Sequence, residues 1–258
     1  MKPSAAHHLT LAFCCLCSGG ALAQDKTDGL WRGTGAAALS LSSGNTSSSS
    51  LQVSADASKA TAADKVTVGG LIHYAKNKTG GVDQTTMNKW SGFGQYDYNL
   101  SPRAFAFSKL GLEGDDLIEL RQRASLAVGL GYKVVKSERM TWDVLGGVGY
   151  TADRYNLAQT IAGKTDTSFN RASIYVGEAS SRQLSSTTAL KQRLDVYAGI
   201  SGDKAVLVKF SAGLSVAMNR MLSLTVGLTD TYNSKPALGT KSNDAGFFTG
   251  VNVKFGAP

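Results

Sequence analysis

Alternation of apolar and polar residues, sustained over segments of ten or more, constrains this chain more than any other feature. Leu51, Val53, Ala55 and Ala57 share one parity, against Gln52, Ser54, Asp56 and Ser58. Val66, Val68, Gly70, Ile72 and Tyr74 repeat the pattern, as do Leu126, Val128, Leu130 and Tyr132. Met140, Trp142, Val144, Val148 and Tyr150 follow, then Leu190, Leu194, Val196, Ala198 and Ile200. Val206, Val208 and Phe210, then Leu222, Leu224 and Val226, and finally Val251, Val253 and Phe255 carry it to the end. A period of two puts successive side chains on opposite faces, which means half-buried strands; helical spacing fits none of these segments well.

Twelve strands are predicted, over 30–41, 47–60, 65–76, 87–99, 103–114, 120–134, 139–153, 169–181, 187–200, 205–217, 221–233 and 244–255. The stretches near 103–120 and 180–190 are less regular, which leaves ten or fourteen open. Such strands are long beside the soluble mode of about 5–6 residues and suffice for a tilted crossing of a bilayer. Backbone groups in lipid must all be paired, so the sheet must close. Connections after even-numbered strands are short (61–64, 100–102, 135–138, 218–220), whereas 77–86, 154–168 and 234–243 read as long polar loops. Outer-membrane barrels alternate in this way, with both chain ends on the short-turn side. Trp31, Trp90, Tyr96, Tyr98, Trp142, Tyr150 and Phe255 fall near strand ends, where interfacial belts sit. The expected fold is all-β, a transmembrane antiparallel up-and-down barrel of one domain over 24–258; a soluble sandwich or lipocalin-like barrel is the alternative.

The first 23 residues read as an export signal: Lys2, a compact apolar run over 9–17, then Ala21-Leu22-Ala23 before the cleavage point. The run falls short of the about 20 residues that a membrane-spanning helix needs. Cys14, Cys15 and Cys17 all lie in this segment, so the remainder has no thiol for a disulfide or a metal. Lys2 is its one charge, so the remainder carries 26 basic and 19 acidic residues, a net charge of +7. Export argues against nucleic acid as the partner of that charge. The expected partners are outer-membrane lipid and lipopolysaccharide, with the barrel-assembly machinery during biogenesis.

Leu30-Trp31-Arg32-Gly33 followed by Leu39-Ser40-Leu41-Ser42-Ser43-Gly44-Asn45-Thr46 resembles the opening of the YdiY-like, salt-induced outer membrane protein family. Asn99-Leu100-Ser101-Pro102-Arg103 resembles a later short turn of that family, and Leu130-Gly131-Tyr132-Lys133 with Glu138-Arg139 its middle hairpin. The resemblance implies an outer-membrane barrel and says little about activity. Gly44, Asn45 and Thr46 form the predicted first hairpin turn, where Gly and Asn tolerate positive φ. Gly250, Val253 and Phe255 resemble the C-terminal signal read by the assembly machinery, although Val253 is not aromatic and the chain runs on to Pro258.

Little in the chain points to catalysis. His73 is the one histidine after residue 23, which excludes a His/Cys metal site. Nothing around it resembles the catalytic segment of outer-membrane phospholipase. Asp115 and Asp116, with Glu113 beside them in a predicted surface loop, offer oxygen ligands to a divalent cation, though a solvated loop is the simpler reading. Gly92-x-Gly94 and Gly129-x-Gly131 sit inside strands and are not phosphate loops, so neither a cofactor nor an enzyme is expected. The polar parity is more telling. It turns Arg32, Lys89, Arg121, Arg123, Lys133, Arg171, Lys191, Arg193, Lys209 and Lys254 inward, with Asp56, Asp97, Asp143 and Asp195. Arg121 with Arg123, and Lys191 with Arg193, are expected as inward columns, with Asp195 and Asp143 as the nearest acids. One reading is a lumen braced by ion pairs. The other is a narrow pore favouring small anionic solutes.

Overall fold

Residues 26–42, 46–79 and 82–256 are described by a computed structural model. The strands are β1 (Trp31–Ser42), β2 (Thr46–Ala60), β3 (Asp64–Thr79), β4 (Val82–Asn99), β5 (Ala104–Asp115) and β6 (Leu120–Lys136). They continue as β7 (Met140–Ile161), β8 (Lys164–Gln183), β9 (Thr188–Gly199), β10 (Val206–Ala217), β11 (Leu222–Asn233) and β12 (Asn243–Gly256). Each pairs antiparallel with its sequence neighbours, and β1 pairs with β12 from Arg32 opposite Gly256 to Ala37 opposite Val251. Twelve strands wired in sequence order therefore close into one barrel, and closure removes the unpaired edges an open sheet would expose. The predicted export signal, and Gly44 and Asn45 of the first turn, lie outside the described residues; Thr46 opens β2.

The apolar parity faces outward. Leu39, Ile72, Leu130, Val148, Val176 and Val226 are each more than half exposed, forming an aliphatic belt. Exposed aromatics bound it on both sides: Trp31, Tyr98, Tyr132, Trp142 and Phe255 near the chain ends, and Tyr74, Trp90, Tyr150 and Tyr232 towards the opposite end. A continuous apolar surface of this extent is rare on a protein in water, whereas a belt between two aromatic girdles suits a bilayer. Val253 and Phe255 belong to this outward face, while Gly250 faces inward close to Ala37 of β1.

Two of the connections expected to be long loops are strands instead. Residues 77–79 extend β3 and 82–86 open β4, and segment 154–168 continues β7 into β8 through a two-residue turn at Ala162 (φ 51°) and Gly163 (φ 83°). Paired left-handed residues match the twist of a hairpin. Gln159 pairs with Asp166, and Thr160 with Thr165, whose hydroxyls meet at 2.8 Å. Beyond the membrane the ladder needs no apolar face, so period two vanishes from the sequence while the backbone pairing continues. Ile161, Tyr155 and Phe169 of this hairpin pack with Leu120 and Ala237, and Leu238 N donates to Thr160 O at 3.1 Å. The hairpin is thereby tied to the β11–β12 connection.

On the inner wall, Gly129 and Gly147 stand opposite each other. A Cβ on Gly147 would lie 2.1 Å from Val128 O and 2.8 Å from the Gly129 Cα, and these are backbone atoms that cannot swing aside. The two backbones approach there more closely than a side chain permits, a position that glycine alone allows. Gly147→Ala is expected to destabilise the barrel by about 1–3 kcal/mol, read from denaturant midpoints in lipid. Gly146→Ala, where a Cβ meets nothing within 4 Å, is the neutral control.

Candidate functional site: the barrel lumen

Curling the sheet points one parity of every strand at the lumen. On β5 to β10 that parity builds an apolar layer of Phe105, Phe107, Ala127, Leu145, Tyr175, Tyr197 and Leu207. The rings of Phe107 and Tyr175 lie 5.5 Å apart, and those of Tyr175 and Tyr197 5.0 Å apart. Charged groups flank this layer, and they come in matched sets. Asp153 accepts from Arg123 Nε at 2.7 Å, from Arg123 Nη2 at 3.1 Å and from Arg171 Nη1 at 3.1 Å. Arg171 Nη1 also reaches Asp203 at 3.0 Å. Arg123 Nη1 donates to Glu113 at 3.0 Å, and the other oxygen of Glu113 accepts from Lys209 Nζ at 2.5 Å.

A second set centres on Asp195. It accepts from Lys109 Nζ at 2.5 Å, from the Tyr175 hydroxyl at 2.5 Å and from Arg193 Nε at 3.3 Å. Arg193 Nη2 donates to Gln95. Lys109–Asp195, Lys209–Glu113 and Arg193–Gln95 therefore cross the lumen, from β4 and β5 on one side to β9 and β10 on the other.

The remaining predicted lumen residues lie nearer the ends. Arg32 donates twice to Asp28, at 2.8 and 2.6 Å, just before β1, and this hydrogen bonding holds the Asp28 carboxyl well below the usual carboxylate range. Asp56 is exposed and accepts from the Thr34 hydroxyl at 2.8 Å. Asp97 accepts from Gln95 at 2.8 Å. Lys133 donates to Asn99 at 2.6 Å and lies 5.5 Å from the Phe105 ring centre; Asp143 stands opposite Lys133 in register. Lys191 and Lys254 are exposed. Lys89 pairs with Asp115 at 3.2 Å and with Asp244 of β12. His73 Nε2 meets the Ser50 hydroxyl at 3.1 Å.

Two expectations need correction. Arg121 does not share the buried layer of Arg123: the register shifts between Leu120 and Gln122, Leu120 takes the interior place at 2 % exposure, and Arg121 is exposed. An apolar side chain gains more from burial than a charge does, and the bulge lets it win. Glu113 does not join Asp115 and Asp116 in a surface loop; it faces the lumen between Arg123 and Lys209. Asp115 instead accepts from Leu117 N at 3.0 Å, and Asp116 from Asn88 at 2.5 Å.

Sequence reasoning missed Lys109, Asp153, Asp203 and Gln95 as partners. Lys109 and Glu113 share the parity of Phe105 and Phe107, so alternation carried through that strand would have turned them inward. Asp203 lies in the short β9–β10 connection, where no periodicity could find it.

Solved structures resemble this chain at low similarity. The COG4313 outer membrane channel from Pseudomonas putida F1 is 12% identical with a TM-score of 0.47, covering 94% of this chain and 100% of that one. The NanC porin is 11% identical with a TM-score of 0.43, covering 88% and 97%. The translocator domain of the autotransporter NalP from Neisseria meningitidis is 13% identical with a TM-score of 0.43, covering 90% and 91%. Comparison with curated proteins finds no match. Residues 35–255 match the family described as a protein of unknown function, DUF481, and the chain belongs to that family.

Proposed function

We propose that this protein is a non-enzymatic barrel of the bacterial outer membrane whose basic lumen residues brace the wall and do not form an anion track. The observation that carries this reading is that the central lumen cations meet acids, Lys109 on Asp195 and Lys209 on Glu113 across the interior, and Arg123 and Arg171 on Asp153 between neighbouring strands. A conducting anion track needs cations that a solute can reach, and these are committed to carboxylates. The outward aliphatic belt between two aromatic girdles supports the location in the membrane. The salt-linked role implied by the YdiY-like resemblance fits the same reading, because buried ion pairs are screened by salt much less than surface pairs.

Asp195→Ala tests it. The change leaves Lys109 buried without its acid and leaves Arg193 with Gln95, and the expected loss is about 2 kcal/mol, below the usual range for a broken buried pair because a lysine can shed its proton and Arg193 is partly exposed. Planar-bilayer recordings of the unaltered barrel are expected to show no anion preference. An anion-selective conductance reversed by Arg193→Glu, together with undiminished stability of Asp195→Ala, would overturn the proposal in favour of a small anion channel.

A further inference from the structure

The bulge that turns Leu120 inward also shapes the outer surface. It leaves two exposed residues, Arg121 and Gln122, between the buried Leu120 and Arg123. Gln122 stands opposite Arg154 of β7, so Arg121 and Arg154 lie at one level on adjacent strands. Arg154 is exposed, on the outward parity of Tyr150, and donates to Asn170 Oδ1 and to Asp153 O, each at 3.1 Å. Among the described residues neither arginine forms an ion pair. The acids around them are engaged elsewhere: Asp115 with Lys89, Asp116 with Asn88, Asp153 with Arg123 and Arg171. Glu119 is half-buried and pairs with neither arginine.

Girdle aromatics stand on both sides of the two arginines. Tyr150 lies four residues before Arg154 on β7. The Trp90 indole covers Gly114 of β5, where a Cβ would collide with it and would lie 3.1 Å from Arg121 O. All of these residues belong to the end of the barrel away from the chain termini. With the termini in the periplasm, that end faces the outer leaflet. Girdle aromatics mark the level of the lipid headgroups, so two guanidinium groups without acids stand where those headgroups begin.

We infer that Arg121 and Arg154 form a binding site for a phosphate of lipid A, the membrane-embedded part of lipopolysaccharide. A guanidinium presents paired N–H donors that match two phosphate oxygens. A phosphate monoester carries about −1.5 to −2 charges near neutral pH, which two arginines balance, whereas the phosphodiester of a phospholipid carries one charge. Asn170 holds the Arg154 side chain on the outer face. The inference rests on the outer-membrane location proposed above and is independent of the ion pairs in the lumen.

The test is native mass spectrometry of the full chain, refolded in detergent and titrated with lipid A. Each variant is first checked for heat-modifiability on a gel and for folding into phosphatidylcholine vesicles. Arg121→Gln with Arg154→Gln is expected to weaken lipid A binding about tenfold, since a hydrogen bond to a charged group carries about that factor. Lipid A stripped of its phosphates should bind the unaltered barrel as weakly as lipid A binds the double variant. Arg139→Gln with Arg182→Gln, two exposed arginines at the opposite rim, should leave the affinity unchanged. Equal affinity of the unaltered barrel and the Arg121/Arg154 variant overturns the inference, as does equal binding of lipid A with and without phosphate. Phosphatidylglycerol bound as tightly as lipid A overturns it too, because the site would then read anionic lipid of either leaflet. A chain that folds into vesicles and fails these comparisons keeps its place in the membrane and loses the site.

Discussion

Replacing Asp153 by alanine is expected to cost this barrel about 3–5 kcal/mol, the usual penalty for breaking a buried ion pair from one side. Asp153 is 1% exposed and takes hydrogen bonds from two guanidinium groups, those of Arg123 and Arg171. Arginine cannot relieve the loss by giving up its proton. Arg123 would retain Glu113 and Arg171 would retain Asp203, so the charges are not wholly stranded, but the link between them disappears. Guanidinium titration in lipid vesicles measures the effect. Asp56→Ala, at an exposed carboxylate bonded to one hydroxyl, should differ little from the unaltered chain. Equal stability of the two variants would mean that Asp153 is hydrated and that the ion pairs do not brace the wall.

Val148→Arg is expected to cost about 2–4 kcal/mol, the penalty for a cation on the lipid face near the bilayer midplane. Val148 is 56% exposed, stands opposite Val128 and Ile174 in register, and lies within the aliphatic belt. On a protein in water an exposed valine could become arginine within about 0.5 kcal/mol. The same substitution therefore gives opposite answers in the two settings. A Val148→Arg chain that refolds with unaltered stability, or that gains solubility without detergent, would remove the barrel from the membrane.

Much of the fold is legible in the sequence because lipid on one side and a polar lumen on the other impose period two on every crossing. The last three strands illustrate this: expected over 205–217, 221–233 and 244–255, they run over Val206–Ala217, Leu222–Asn233 and Asn243–Gly256. Legibility ends where that two-sided environment ends. The β7–β8 hairpin rises past the apolar belt, and its polar residues carry no alternation although Ile161 is buried at its tip. Arg121 illustrates a second limit, since a one-residue bulge reverses parity without a mark in composition. The site suffers most. Parity says that Arg193 and Asp195 face inward, but their partners Gln95 and Lys109 depend on how the sheet curls, which no local pattern encodes.

The cross-lumen contacts join residues far apart in the chain: 86 positions separate Lys109 from Asp195, 96 separate Glu113 from Lys209, and 98 separate Gln95 from Arg193. A flat or half-curled sheet keeps these partners on separate strands with the lumen still open between them. They can meet only after the sheet has curled round on itself, so they are absent from the rate-limiting barrier to assembly if that curling is the barrier. Contacts made after the barrier leave the folding rate alone and slow unfolding. The brace then acts as a latch in time: it sets how long the barrel, once closed, stays closed.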